Sequence, residues 1–385
     1  MNVAMKASRR EFLAMGAMAG VASLAGCARH TGTAAVGTAP GIERASLRRV
    51  GTSRGILVGS AVNMKLLRTV PEYAALLREQ VGIVVAETAM KFGPLRPSAT
   101  EFFFDEADAL VEFAHVNRMK VRGHNFVWHR ALPKWFEEEV TAANAEQVLV
   151  EHIEKVGGRY RGKIHSWDVV NEAIELKDGL PGGVRNSPWQ KVLPGEGKVP
   201  RYIEVAFRAA RKADPKALLC YNDYGIETES AESDKKRAAV MELLRAMQAK
   251  GVPLDALGVQ SHIEAGKGQV YGPGLRGMIA EARSMGVKVL LTEMDVNDRA
   301  LGGAIPERDA AVAAAYASYL HEALEDPAVI ALLTWGISDR YTWLNSEGKR
   351  KDGLQERCLP FDAEMKPTAA FEAEIEALRK APRRH

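Results

Sequence analysis

Residues 287–293 read VKVLLTE, a short β-rich run that is apolar apart from Lys288 and Thr292 until it ends on a carboxylate. Seven other runs have the same character: Ile56–Val62, Ile83–Glu87, Val121–Trp128, Ile164–Glu172, Ala217–Asp223, Ala256–His262 and Val329–Gly336. Strands nearly continuous in Val, Ile and Leu are buried on both faces, as in a parallel sheet. Longer segments of helical period separate them: Asp105–Asn117, Ala145–Tyr160, Ile203–Ala213, Ser233–Lys250, Leu275–Met285 and Arg308–Glu325, with Pro367–Arg379 closing the series. In Asp105–Asn117, the spacing of Ala109, Leu110, Phe113 and Ala114 predicts one buried face. Eight strand–helix units in order predict an α/β fold, a closed (β/α)8 TIM barrel in one domain. An open, doubly wound sheet is the alternative, but no GxGxxG follows the first strand.

The ends of these runs carry side chains that a buried strand does not need. The second ends in Glu87, and the third carries His124, Trp128 and His129. Asn171 and Glu172 close the fourth, and Asn222, Asp223 and Tyr224 the fifth. Gln260 and His262 close the sixth, Glu293 and Asp295 the seventh, and Trp335 the eighth. In a closed parallel barrel the C-terminal strand ends meet on one rim, where barrel active sites lie. One polar cleft explains all of these positions together.

The chain has 385 residues, a formal charge of only +3, 46% apolar and 26% charged residues. That near-neutral body lacks the basic footprint of a nucleic-acid binder, so no nucleic-acid partner is expected. Ser8-Arg9-Arg10-Glu11-Phe12-Leu13 followed by a short apolar stretch reads as a twin-arginine export signal over residues 1–27. Leu24-Ala25-Gly26-Cys27 reads as a lipoprotein cleavage box that would leave a lipid anchor on Cys27; plain cleavage is the competing reading. Residues 28–45 read as a flexible tether and 46–385 as the barrel domain. The protein is expected to be exported by the twin-arginine route and to be periplasmic, a membrane-anchored lipoprotein or secreted, and to be a monomer. Only Cys220 and Cys358 remain in the body, too few for a disulfide scaffold, and no CxxC or Cys/His cluster indicates zinc. Cys220 reads as a small buried strand residue.

Cleaving a glycosidic bond needs two carboxyl groups flanking the anomeric carbon, one protonated and one ionised. Glu172 and Glu293 lie three strands apart around the ring, able to face each other across its mouth. Glu172 follows Asn171, and Trp128 and His124 are expected beside it, surroundings that raise a carboxyl pKa. Glu293 has His262 on the neighbouring strand, able to hold it ionised. Glu172 is thus expected as acid/base and Glu293 as nucleophile. Trp128, Trp335, Trp343 and Tyr224, at or after strand ends, are expected to stack on sugar rings. Trp135 and Trp189 read as loop packing and Trp167 as core.

In this setting the stretches VRGHNFVWH (121–129), WDVVNEA (167–173), YNDYGIE (221–227), GVQSHI (258–263), LLTEMDV (290–296) and TWGISDRYTWL (334–344) resemble glycoside hydrolase family 10, the endo-β-1,4-xylanase family. The resemblance runs from about Ile56 to Phe371. It implies the same roles for Glu172 and Glu293, places His124 and Asn171 on the sugar being cleaved, and has His262 orient the nucleophile. It further implies that Glu87, Lys91, Trp128, Gln260, Trp335 and Trp343 line the cleft, and that neither metal nor organic cofactor is needed. The expected partner is a β-linked polysaccharide or oligosaccharide, xylan by family.

The sequence departs from the family pattern at two places. Thr88 follows Glu87 where the family has Asn, and Ala131 stands where it has Gln. Both positions touch the sugar next to the cleavage point on the non-reducing side, and each lost hydrogen bond is worth about 1 kcal/mol. Another β-linked glycan is therefore the alternative substrate. Arg130, beside them, reads as an exposed loop arginine, with a contact to an acidic decoration as the sharper alternative. Of the rival classes, a metal hydrolase lacks HExxH or an HxH on the first strand, and substrate-assisted chemistry lacks DxDxE around Glu172. A non-catalytic carbohydrate-binding protein would have no use for an opposed carboxyl pair.

Overall fold

The computed structural model of the protein describes residues 45–348 and 350–384, so the expected export signal and Cys27 lie outside the described residues. The strands are β1 (Leu57–Val62), β2 (Ile83–Ala86), β3 (Lys120–Val127), β4 (Ser166–Asn171), β5 (Leu218–Asp223), β6 (Ala256–Val259), β7 (His262–Glu264), β8 (Lys288–Asn297) and β9 (Val329–Thr334). Neighbours from β1 to β6 pair in parallel and in order, β9 pairs with both β1 and β8, and β6 pairs with β8. The last pairing closes an eight-stranded ring. β7 stays outside it as a short flap on the far end of β8. Seven of the expected strands are found within a few residues of their expected bounds. The eighth, at residues 287–293, continues to Asn297 because the flap pairs with its extension.

Alternation along each strand divides the apolar residues between two cores. Ala61, Ile83, Val85, Cys220, Ala256, Leu290, Ala331 and Leu333 fill the inside of the ring. Val58, Val84, Val121, Trp167, Leu219, Leu257, Val289 and Leu332 face outward against the helices. The helix Asp105–Val116 shows how a helix joins that outer layer. Its first turn carries Asp105, Glu106 and Asp108, charges that suit the positive end of a helix dipole. It buries Ala107, Leu110, Val111 and Ala114, whereas Ala109 and Phe113 stay half-buried, so the buried stripe is turned slightly from the expected one. Trp135 and Trp189 are buried, as expected, but on short helices (Lys134–Glu139 and Pro188–Val192), where they pack around Phe92 and Phe136.

The ring interior is not wholly apolar. Arg122 on β3 and Asp168 on β4 form an ion pair with no solvent exposure on either side chain. Breaking such a pair from one side strands a buried charge. Asp168 also accepts a hydrogen bond from His124 at 2.8 Å, so the pair serves as a fixed foundation directly below the rim.

Candidate active site

Of the expected rim residues, Glu87, Trp128, Glu172, Tyr224, Gln260 and Trp335 stand just past strand ends and Asn171, Asn222 and Asp223 at them, whereas His124 lies inside β3, Glu293 and Asp295 inside the long β8, and His262 opens the flap β7. β8 slips against β9 between Leu291 and Met294. As a result the adjacent Thr292 and Glu293 both reach one side chain, Asn222 of β5, which strict alternation forbids. Asn222 accepts from Thr292 Oγ1 at 2.8 Å and donates through Nδ2 to Glu293 Oε1 and Asn171 Oδ1, both at 2.7 Å. Asn171 in turn donates to Glu172 Oε1 at 3.1 Å, and Gln260 Nε2 donates to the same oxygen at 3.0 Å. One chain of hydrogen bonds, Glu293–Asn222–Asn171–Glu172, therefore joins the two carboxyls across the mouth. Gly258 on β6 makes room for it, since a Cβ there would run into Asn222 Oδ1.

The two carboxyls experience opposite surroundings. Burial raises the pKa of Glu172, and the nearby Asp223 and Glu293 charges raise it further against the hydrogen bond from Gln260. Glu293 is also buried, which alone would raise its pKa, but the His262 hydrogen bond and the charges of His262 and Arg122 outweigh burial and lower it. His262 is held between two acids, Nδ1 at 2.9 Å from Asp295 and Nε2 at 3.5 Å from Glu293. Burial opposes its charge, yet Asp295 and Glu293 push its pKa well above the usual imidazole value, so it stands as an imidazolium beside the ionised Glu293.

The histidine beside Glu172 is His129, not His124. His129 Nδ1 lies 3.6 Å from Glu172 Oε2, and burial lowers its pKa to about 4, leaving a neutral ring. His124 is buried and neutral too, its Nδ1–H directed to Asp168 and its Nε2 accepting from Asn125 at 3.2 Å. Trp128 does act on the Glu172 carboxyl, but in the opposite sense to the one expected: it lowers the pKa that burial raises. The buried Trp128 indole N–H and His129 Nδ1 close no hydrogen bond among the described residues.

Aromatic rings line the walls. Lys91 Nζ sits 4.7 Å from the Trp128 ring centre and 5.8 Å from that of Trp335, and Trp335 meets His124 edge-on at 5.2 Å. Trp343 donates from Nε1 to Asp295 at 2.7 Å, which fixes its ring beside His262. Asn63, Glu87, Tyr341, Trp335 and Trp343 line a small recess on this side, with Asn63 donating to Glu87 at 2.9 Å. Thr88, Arg130 and Ala131 are all exposed. Arg130 makes its charge felt at Lys91 and His129, which sets it at the cleft edge. Tyr224 is linked to the main chain of Glu172 through Arg185. Asn222, Asp295 and His129 were visible as strand-end residues without an assigned part, whereas Arg185, in a loop, gave no signal. Among the described residues no group of three or more His, Cys, Asp or Glu side chains could hold a metal ion.

A closed parallel barrel with two carboxyls set across its mouth, one pushed up and one held down in pKa, defines a glycoside hydrolase of the paired-carboxyl kind. Xylanase 10B from Thermotoga petrophila, solved with xylobiose, superposes with a TM-score of 0.78 at 32% identity, covering 88% of this chain and 98% of that one. The chain belongs to glycosyl hydrolase family 10, whose model matches residues 46–377. It is 35% identical over 339 residues to a thermostable celloxylanase of Thermoclostridium stercorarium, covering 81% of this chain and 82% of that protein. It is 33% identical to endo-1,4-beta-xylanase C of Paenibacillus barcinonensis over 86% of this chain, but spans only 31% of that protein's length.

Proposed function

We propose that the protein hydrolyses β-1,4 bonds of xylan or xylo-oligosaccharides with retention, by double displacement. Glu293 attacks the anomeric carbon while Glu172 gives its proton to the departing oxygen. Glu172 then takes a proton from the water that frees the sugar from Glu293. The observation that carries this reading is the split environment of the two carboxyls: burial and acidic neighbours raise the pKa of Glu172, whereas His262 lowers that of Glu293. His124, with its ring fixed by Asp168, and Asn171 are placed to bind the sugar under attack. Glu87, Lys91, Trp128, Gln260, Trp335 and Trp343 line the wall on which further rings lie. His262 orients Glu293, and Tyr224 offers a ring to the departing side. Residues 1–27 serve as a twin-arginine export signal, on the strength of their sequence pattern alone.

The xylobiose-bound neighbour and the xylanase relatives support xylan as the substrate. A second reading, action on another β-linked glycan, has its own support: Thr88 and Ala131 are exposed at the cleft edge, and relatives include a celloxylanase and an exoglucanase. Hydrolysis of xylan, β-1,4-glucan and mixed-linkage glucan, followed by proton NMR, tests both. A first product in the β configuration with xylan preferred supports the proposal. A first product in the α configuration contradicts retention, and a preference for glucan contradicts the substrate.

A further inference from the structure

We propose that Arg185 is a positioning residue for proton delivery, pinning the main chain of Glu172 and tying it to the Tyr224 ring. The inference rests on the assignment of Glu172 as proton donor. Glu172 has φ of +58°, the left-handed region, which is costly for a residue with a Cβ and persists only where neighbours enforce it. Two bonds enforce it. The Glu172 N–H donates to Asn222 O on β5 at 2.8 Å, and the Glu172 carbonyl accepts from Arg185 Nε at 2.7 Å.

Arg185 reaches that carbonyl because the loop after β4 folds back on itself. Ile174 bridges Val184, the Glu175 N–H donates to Gly183 O at 2.8 Å, and the Arg185 N–H donates to Ala173 O at 2.7 Å. The other arm of the guanidinium donates to Tyr224 Oη at 3.0 Å, and that hydroxyl donates onward to Glu175 at 3.2 Å. Lys236 Nζ stands 3.7 Å from the Tyr224 ring centre and pairs with Asp223 at 2.9 Å, so the ring is held at its hydroxyl and over one face. A sugar resting on Tyr224 thus rests on a group one guanidinium away from the backbone of the acid. Arg185 does not touch Glu172's carboxyl. It sets the direction from which the proton arrives, and its charge and that of Glu172 favour each other.

The test compares Arg185→Met, Arg185→Lys and Tyr224→Phe on two substrate classes. Xylo-oligosaccharides need a protonated leaving group; aryl xylobiosides with an acidic phenol do not. Misplacement of a catalytic group by about 1 Å can cost about a hundredfold. Arg185→Met should therefore lower kcat/KM on oligosaccharides by about tenfold to a hundredfold, yet by less than about threefold on the aryl glycoside. The alkaline limb of its pH profile should move upward, because a cation that favours the Glu172 carboxylate is gone. Arg185→Lys, which keeps the charge without the fork, should restore the limb and only part of the rate. Tyr224→Phe keeps the ring and cuts the link, and should show the same selectivity in smaller measure. Should Arg185→Met fail to fold, the Arg185→Lys and Tyr224→Phe proteins still decide. Equal losses on both substrate classes, or an unmoved limb in Arg185→Met, would overturn the inference. Glu172→Ala serves as control: if it too loses both classes equally, the acid assignment fails rather than the role of Arg185.

Discussion

At the residue scale, Glu172 and Glu293 are the same amino acid made to behave differently by their neighbours. Burial governs the first, and the imidazolium of His262 overrides burial at the second. If Glu172 gives the proton, Glu172→Ala should lower kcat/KM on xylo-oligosaccharides by about 10²–10⁴ while sparing aryl glycosides with good leaving groups. Azide should then restore turnover of the aryl substrate and yield a β-glycosyl azide, the anion having entered where Glu172 would have directed water. An α-glycosyl azide in this variant would reverse the two assignments. Both carboxylates were legible in the sequence because each ends an apolar strand, where a structural carboxylate has little to do. The identity of their neighbours was less legible. His124 lies inside β3 and His129 two residues past its end, and sequence alone does not say which ring faces which acid.

At the scale of elements, the decisive features are the places where regular strands stop being regular. The slip of β8 against β9 lets Thr292 and Glu293 share Asn222, and a second slip separates Asp168 from Val170 as β4 runs beside β5. A slip of one residue turns later side chains to the other face. The composition of the strands gave no sign of it, which is why Asn222 and Asp295 were read as rim residues without a task. The close approach of β5 to β6 makes a test possible. Gly258→Ala places a Cβ against Asn222 Oδ1, which is bonded to Thr292. Overpacking of this kind typically costs about 1–3 kcal/mol. The variant should be less stable by that order and should lose kcat beyond what stability explains, as Asn222 withdraws from Glu293. A fully active, merely destabilised Gly258→Ala protein would show that Asn222 is not needed to set Glu293.

At the scale of the whole molecule, the closed ring was readable because each strand–helix unit repeats one pattern, and repetition is robust to error at any single boundary. Polar groups buried far from the rim were not readable. Glu374, on the helix Ala369–Lys380, has no exposed surface and neither carboxyl oxygen has a hydrogen-bond partner among the described residues. Burial raises its pKa from 4.5 to about 8. Its protonated form is the one that folds well, so its contribution to stability is intact below about pH 4.5 and is lost as pH rises towards 8. The loss is roughly 3 kcal/mol at pH 7. Glu374→Leu should raise Tm at pH 8 and progressively less as the pH falls to 4.5, as thermal unfolding across that range would record. A gain independent of pH would mean that Glu374 titrates normally in the folded protein.

The central claim is that Glu293 forms a bond to sugar. Incubation with a 2,4-dinitrophenyl 2-deoxy-2-fluoro-β-xylobioside, which slows release of the sugar, followed by mass analysis of the protein and its peptides, measures this directly. A single added glycosyl unit on the peptide carrying Glu293, with loss of activity in step, is the expected result. Continued turnover with no adduct, or an adduct on any other side chain, would contradict it.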